Sequence, residues 1–285
     1  MSPVQFTPMG FLGFDATLEN ANTVVFGAPY DSTCSFRPGT RFGPSAMRRD
    51  FQGLESYSPY LDLDLTDYLI HDAGDMELPF GETPMVLDQI EAWATPLIEQ
   101  DKQVIMLGGE HSLSLAMIRA FARKYADLQV IHIDAHTDLR EEYLGNRYSH
   151  ASVMKRAWEI LGDGRIHQFG IRSGERDEFT FSREKLSITP FQLNGMRELA
   201  KELPSGTPIY VSLDLDVLDP SVFPGTGTPE PGGVTFHELL AGLMELKDLN
   251  IVGFDLMELS PHYDPSGAST AVACKLLREM LLAYQ

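Results

Sequence analysis

The chain has 285 residues, with 22 Lys and Arg against 41 Asp and Glu, so its formal net charge is −19. Such a surface repels nucleic acid and anionic membranes and attracts small cations, although solubility alone explains an acidic surface equally well. We therefore expect neither nucleic acid nor a membrane as a partner. The hydrophobic content of 43 % is ordinary for a globular protein with a large core, and Cys34 and Cys274 are too few for a disulfide framework or a Cys-ligated metal site.

The first ten residues lack the basic region and apolar stretch of a secretory signal, and no apolar run approaches membrane-spanning length. These features predict a cytoplasmic protein. Eight short apolar runs alternate with helical segments along the chain, which is typical of a parallel sheet. The predicted strands are 22–27, 68–73, 103–107, 129–134, 165–170, 186–189, 208–214 and 250–255.

Six segments between or after these runs space their apolar residues three and four apart, which predicts helices. They are 84–99, 112–125, 150–161, 192–203, 235–246 and 268–282. The stretches 28–59 and 219–233 contain many Gly and Pro residues, and we interpret both as too irregular for helix or strand. We predict a single α/β domain, residues 1–285, with a mostly parallel sheet. Long loops in such a domain are usually functional.

Four aspartates and two histidines lie at the carboxyl ends of the third, fourth and seventh predicted strands. They are His111, Asp134, His136, Asp138, Asp214 and Asp216. Ligands of open α/β sheets gather at this edge, and residues two apart on an extended chain point to the same side. Alone, an Asp-x-Asp pair is more often a turn than a ligand set. An apolar core strand, however, gains nothing from three closing polar residues unless they bind something.

Four carboxylates in one cleft repel one another unless cations compensate their charge. Two divalent ions balance four charges, and mixed carboxylate and imidazole ligands suit manganese, iron or zinc. A water held between two such ions becomes hydroxide near neutral pH and attacks a carbon centre. This chemistry indicates a hydrolase.

Three motifs resemble those of the ureohydrolase family, which includes arginase and agmatinase. They are Gly-Gly-Glu-His-Ser at 108–112, Asp-Ala-His-Thr-Asp at 134–138 and Ser-Leu-Asp-Leu-Asp-Val-Leu-Asp-Pro-Ser at 212–221. The likeness extends from 38–44 to 257–261. It implies a three-layer α/β/α fold with a central eight-stranded parallel sheet, and by analogy a homo-oligomer, commonly a trimer or hexamer.

The resemblance also implies how the predicted ligands are shared between two Mn²⁺ ions. Asp134 and Asp214 would bridge the ions; His111 and Asp138 would complete one, and His136 and Asp216 the other. In the same family pattern, His150 matches the proton-shuttling histidine, Glu258 the guanidinium-binding glutamate, and Thr228 a threonine near the guanidinium.

The chemistry of a guanidino substrate agrees with these roles. A guanidinium resists attack by water unless hydroxide forms beside it and a carboxylate such as Glu258 holds the cation. The departing amine needs a proton, which a histidine titrating near neutral pH could deliver, and His150 lies in a polar loop. His132, inside the fourth strand, is interpreted as a hydrogen-bonded core histidine, and Asp219 as a turn-capping residue.

The segment 139–148 lacks the small hydroxyl and amide residues with which arginases hold arginine, and it looks like the shorter bacterial agmatinases. The resemblance therefore favours agmatine, cleaved to urea and putrescine, with Glu141 or Glu142 as candidates for the ammonium tail. The first alternative within the family is a hydrolase of guanidinobutyrate or another guanidino compound, and an arginase or a formiminoglutamase comes after it. Outside the family, the alternatives are a catalytically inactive metal-binding protein and a binuclear phosphoesterase, for which no basic phosphate clamp is evident.

Overall fold

The computed structural model describes residues 10, 11 and 13–285. Eight parallel strands form one sheet, and a hairpin of two short strands, each two residues long, lies apart from it. In chain order the strands are β1 Thr23–Ala28, β2 Tyr57–Ser58, β3 Leu63–Asp64, β4 Ile70–Asp75, β5 Gln103–Gly108, β6 Gln129–Ile133, β7 Ile166–Phe169, β8 Ser187–Thr189, β9 Pro208–Asp214 and β10 Asn250–Met257. The sheet order is β4-β1-β5-β10-β9-β6-β7-β8, and every pairing in it is parallel.

Helices cover both faces of this sheet. They are α1 Gly43–Asp50, α2 Thr83–Glu99, α3 Ser114–Lys124, α4 Val153–Leu161, α5 Arg176–Lys185, α6 Met196–Glu202, α7 Phe236–Met244 and α8 Ala268–Ala283. Apolar side chains of α2, α3 and α4 belong to the core on one face, and those of α1, α6, α7 and α8 to the core on the other. The result is the three-layer α/β/α arrangement that the family resemblance implied.

The central strands are mostly apolar because both of their faces are covered. All residues of β1 and β9 are buried, and successive residues of β5 alternate between the two cores, with Val104 on one face and Ile105 on the other. Strands buried on both faces give continuous apolar runs in the sequence. All eight predicted strands of the sheet are accordingly confirmed, with ends that differ by at most two residues.

Two helices and the hairpin were not predicted. The stretch 28–59 contains α1, which begins at Gly43 with Pro44 in its first turn, and it reaches into the hairpin at β2. The prediction there was wrong because proline is favourable at a helix start. Helix α5 escaped detection because it is highly charged; a reciprocal capping box between Glu175 and Glu178 begins it.

The six predicted helices are present; α8 begins where predicted, and the other five begin one to four residues away. The segments at 112 and 150 start as short 3₁₀ turns, at His111–Leu113 and His150–Ser152, before α3 and α4 begin. The stretch 219–233 contains neither helix nor strand, as predicted. Asp219 also has its predicted turn role, since one carboxylate oxygen accepts from the Ser221 N–H and the other from the Gly232 N–H.

Candidate metal centre and active site

Four neighbouring strands deliver the predicted site residues to one edge of the sheet. In the sheet order β5, β10, β9 and β6, His111 follows β5, Glu258 follows β10, Asp214 ends β9 and Asp134 follows β6. All four side chains are buried. Because the strands are parallel, these residues lie side by side although about 150 residues of sequence separate the first from the last.

One ring nitrogen of His111 faces three carboxylates. Its Nδ1 lies 3.0 Å from an oxygen of Asp134 and 3.2 Å from oxygens of both Asp138 and Asp214. Among the described residues this buried Nδ1 has no hydrogen-bond partner. The other ring nitrogen, Nε2, lies 2.9 Å from the Ser212 hydroxyl and forms a hydrogen bond with it. A ring nitrogen surrounded by three carboxylate oxygens is the environment of a cation.

The second cluster shares a carboxylate with the first. Asp134 directs Oδ2 towards His111 and Oδ1 towards His136, whose Nδ1 is 3.4 Å away. The same His136 nitrogen lies 3.0 Å from Asp216. Asp134 therefore lies between two sets of potential ligands. The structure brings together all six predicted ligands, with Asp214 facing His111.

The ionisation of these groups indicates a charge that the protein alone does not balance. Burial, followed by the charges of Asp216 and Asp134, raises the pKa of Asp214 well above its usual range. For His111, burial alone lowers the pKa, but the carboxylates of Asp134 and Asp138 outweigh it and raise the pKa well above normal. Carboxylates forced to compete for protons in this way are stabilised by bound cations. The donor set of imidazoles and carboxylates fits divalent transition metals such as manganese, iron or zinc.

Further buried groups orient the potential ligands. The Ser212 hydroxyl accepts from the His111 Nε2–H and donates to Asp255, which fixes the His111 tautomer. His132 is the hydrogen-bonded core histidine that the sequence indicated. Its Nε2 donates to Asp134 and its Nδ1 accepts from the Gln168 amide. Both of its nitrogens have hydrogen-bond partners, so His132 supports Asp134 from within the ligand cluster.

Two site residues adopt a left-handed backbone conformation that non-glycine residues seldom use. They are Asp138, with φ 53°, and Glu258, with φ 66°. Hydrogen bonds hold both segments. The Asp138 carbonyl accepts from the N–H groups of Met154 and Lys155 at the start of α4, and the Glu258 N–H donates to the Gly109 carbonyl. Backbone strain of this kind persists where the surrounding structure over-determines it, and it is typical of functional sites.

A cavity of about 270 Å³ opens above this cluster. His111, His136, Asp138 and Asp214 line its floor, and its other walls include His150, Glu258 and Thr228. This volume suits a small ligand. The structure therefore places all three predicted substrate-contacting residues around the same space as the ligand cluster.

Glu258 is a buried acceptor beside the metal cluster. One carboxylate oxygen accepts from the His111 N–H at 2.8 Å. Burial, followed by the charge of Glu110, raises the pKa of Glu258 well above normal. A cationic ligand in the cavity would relieve this unfavourable charge. The Thr228 hydroxyl donates to Asp216 at 3.2 Å, so Thr228 lies beside the ligand cluster.

His150 differs from the sequence interpretation in its ionisation. We expected a histidine titrating near neutral pH, but burial, followed by the neighbouring His136 and His111, lowers the pKa of His150 to about 4. The ring is therefore neutral at pH 7 and must take up a proton before it can donate one. The Tyr143 ring packs edge-on against it, with 5.9 Å between centroids.

The acidic residues proposed for the substrate tail lie elsewhere. Glu141 pairs with Arg147 and Arg156, and neither Glu141 nor Glu142 is among the described residues that line the cavity. Glu175 lines the cavity instead, with 64 % of its side chain exposed and an ion pair to Arg140 at 3.2 Å. Sequence reasoning missed Glu175 because it precedes α5, a helix with too few apolar residues to be recognised.

Comparison with known proteins gives the same picture. The family model described as "Arginase family" matches residues 21–283. An agmatinase of Bacillus subtilis is 45 % identical over 270 residues, covering 93 % of each chain. A solved structure of a candidate agmatinase from Clostridium difficile superposes with a TM-score of 0.92 at 49 % identity, over 94 % of this chain and 98 % of the other. For the agmatine ureohydrolase of Thermoplasma volcanium the TM-score is 0.89 at 35 % identity, over 98 % and 95 %.

These relatives span the whole site, from the loop after β1 to the end of β10, and they confirm the resemblance seen in the motifs. Among the described residues no helix is long and apolar enough to span a bilayer. The chain belongs to the arginase family and is an enzyme of the agmatinase type within the ureohydrolases.

Proposed function

We propose that the enzyme hydrolyses agmatine to urea and putrescine at a centre of two Mn²⁺ ions. The observation that carries this proposal is the buried arrangement in which Asp134 faces both His111 and His136. His111 and Asp138 would hold one ion, His136 and Asp216 the other, and Asp134 and Asp214 both. When bound, the ions supply an activated water that attacks the guanidinium carbon.

The protein's own side chains then bind the substrate and move protons. Glu258 pairs with the guanidinium and holds its plane against the ligand cluster. Neutral His150 accepts a proton from the attacking water and returns it to the departing nitrogen. Protonation of that nitrogen lets the C–N bond break, and the released amine takes up the hydroxyl proton of the carbon fragment, which leaves an alkylammonium ion and neutral urea. Thr228 contributes by holding Asp216 through its hydroxyl.

The cavity favours a positively charged tail. Besides the potential metal ligands, the described residues that line it include the carboxylates of Glu258, Glu175 and Glu178 and one Lys or Arg side chain, Arg140. Glu178 is occupied by the Thr137 hydroxyl and the Leu139 N–H, which leaves Glu175 at the solvent side. Agmatine ends in an ammonium group there, whereas arginine and guanidinobutyrate bring a carboxylate that these residues repel. The identity to agmatinases supports the same choice.

The substrate is tested by incubating the Mn²⁺-loaded enzyme with agmatine, arginine and guanidinobutyrate at equal concentrations, with urea and putrescine quantified. We expect agmatine to give the highest kcat/KM, with one putrescine per urea. An Asp214→Ala variant serves as the background control. A preference for arginine or guanidinobutyrate would reject agmatine as the substrate, and two bound ions without urea from any of the three compounds would support an inactive metal-binding protein.

We also propose that the protein is a homo-oligomer, a trimer or hexamer, in the cytoplasm. The support is the family resemblance. Light scattering coupled to size exclusion would give the mass of the particle. With a chain of 31.7 kDa, a monomeric mass at micromolar concentration would contradict the proposed assembly.

A further inference from the structure

A chain of hydrogen bonds joins three residues beside the cavity that lie far apart in the sequence. Thr33, in the loop after β1, donates its hydroxyl to the Glu110 carboxylate at 2.6 Å and its N–H to the same carboxylate at 2.6 Å. The same hydroxyl oxygen lies 3.1 Å from His150 Nδ1 and accepts from the His150 N–H at 3.0 Å. Thr33 thus lies between a buried carboxylate and the proposed proton-transfer histidine.

The number of available protons fixes the direction of these bonds. Glu110 is fully buried and faces the Thr33 hydroxyl, the Thr33 N–H and the Ser112 hydroxyl, and as a carboxylate it accepts from all three. Thr33 has a single hydroxyl proton. If the hydroxyl rotated to donate to His150, the buried Glu110 carboxylate would lose a hydrogen-bond donor, and this loss would destabilise the fold. Towards His150, the Thr33 oxygen is therefore an acceptor.

The consequence is a defined tautomer of His150. With the Thr33 oxygen as acceptor, Nδ1 must carry the hydrogen, and in a neutral ring Nε2 then holds the lone pair. Among the described residues nothing hydrogen-bonds to Nε2, and the ring lines the cavity. The nitrogen available to the substrate is consequently the one able to accept a proton.

We propose that Thr33, with Glu110 behind it, is a positioning residue that holds His150 as the Nδ1–H tautomer with Nε2 ready for proton transfer. This inference rests on the proposed function of His150 and assigns no substrate contact to Thr33 or Glu110. Residues that fix the tautomer of a catalytic histidine act on the rate of chemistry more than on substrate binding.

The test compares two substitutions of Thr33 in the metal-loaded enzyme. Thr33→Val keeps the side-chain shape and the N–H to Glu110 but removes the hydroxyl, and we expect kcat for agmatine to fall about 100-fold with little change in KM. Thr33→Ser retains the hydroxyl and should restore most of the rate. Metal content is measured in every variant, and both should keep the wild-type stoichiometry.

A double-mutant cycle with His150→Ala separates this role from a general structural one. If Thr33 acts through His150, Thr33→Val should cost less than about twofold in the His150→Ala background. An equal cost in both backgrounds, a Thr33→Val enzyme as fast as wild type, or a Thr33→Ser enzyme as slow as Thr33→Val would overturn the inference. Should Thr33→Val fold poorly, Glu110→Gln replaces it in the same cycle. The Gln amide can donate to the Thr33 oxygen, and the Thr33 hydroxyl would then be free to donate to His150.

The cycle also distinguishes this inference from the function on which it rests. A His150→Ala enzyme as fast as wild type would reject the proposed role of His150 and the positioning role together. A slow His150→Ala enzyme beside an unaffected Thr33→Val enzyme would leave the proposed function intact and reject only the role of Thr33.

Discussion

Neighbouring histidines hold the Asp134 carboxylate in place between the two groups of potential ligands. Its two carboxylate oxygens face different histidines, and His132 donates to the oxygen that faces His111. Burial alone would raise the pKa of Asp134, but the imidazoles of His111 and His132, 3.0 Å and 2.8 Å from its Oδ2, outweigh burial and hold the pKa well below normal. The residue is therefore ionised, as a carboxylate shared by two cations must be.

Removal of ligands and removal of the proton shuttle should have different effects. We expect His136→Ala and Asp214→Ala each to lose bound metal and activity together, because each removes a donor to the cluster. His150→Ala should keep its metal and lose about 10²- to 10⁴-fold in kcat. Elemental analysis and urea release on the same preparations check this. A His150→Ala enzyme matching wild type at every pH would contradict its role.

The connections after the strands are positioned by close backbone contacts. After β5 the chain passes against the loop that follows β1, where the Gly109 N–H donates to the Ala28 carbonyl. A Cβ at Gly109 would lie 1.9 Å from the Tyr30 carbonyl oxygen, which is backbone and cannot move aside freely. This contact places Glu110 and His111.

Two adjacent glycines offer a matched test of that contact. Gly109→Ala should destabilise the fold by about 1–3 kcal/mol or more, since overpacking against backbone forces the chain to shift, and should reduce metal content. In Gly108→Ala the new Cβ meets the end of the flexible Met257 side chain, so the cost should be smaller. Thermal unfolding and metal analysis compare them. Equal behaviour of the two variants would show that the approach to Tyr30 is unimportant.

Helix α8 depends on a carboxylate at its beginning. Asp264 accepts from the Ser269 N–H at 2.7 Å and from the Ser266 N–H at 3.1 Å. Burial would raise its pKa, but the hydrogen bonds from Ser266 and Ser269 outweigh burial and lower the pKa to about 2. Because the folded pKa is depressed, this stabilisation is present above about pH 4 and is lost as the pH falls towards 2.

Asp264→Asn should accordingly lower the free energy of unfolding by about 1–2 kcal/mol at pH 7. The difference from wild type should shrink as the pH falls from 4 to 3, because Asp264 of the unfolded chain takes up its proton in this range while the folded carboxylate, with its lower pKa, stays ionised. Urea unfolding at pH 7, 4 and 3 measures both quantities. A difference that stays constant over this range would show that the carboxylate charge is irrelevant to α8.

At the scale of the whole molecule, the sheet was predictable and the loops were not. Strands such as β9 are buried on both faces, so their sequences are mostly apolar and can be recognised as strands. The carboxyl ends of those strands then located the metal cluster. The roles of Thr33 and Glu175 could not be predicted, because the first lies in an irregular loop and the second precedes a highly charged helix that has a capping box but few apolar residues.

Overall charge agrees with the proposed substrate. With a net charge of −19, the molecule attracts divalent metal ions and a dicationic substrate over long distances. Proteins without such ligands can carry the same charge, so the net charge supports the proposal only together with the cavity. Among the described residues that line the cavity, carboxylates outnumber Arg140. The proposal that this cavity is a hydrolase active site depends on whether two metal ions bind there.

Anomalous scattering at the manganese edge, from crystals of the Mn²⁺-loaded enzyme, tests those ions directly. The account predicts two peaks about 3.5–4 Å apart, both adjacent to Asp134, with His111 beside one and His136 beside the other. A single peak, peaks remote from Asp134, or none at full manganese occupancy in solution would contradict a binuclear centre at this edge of the sheet.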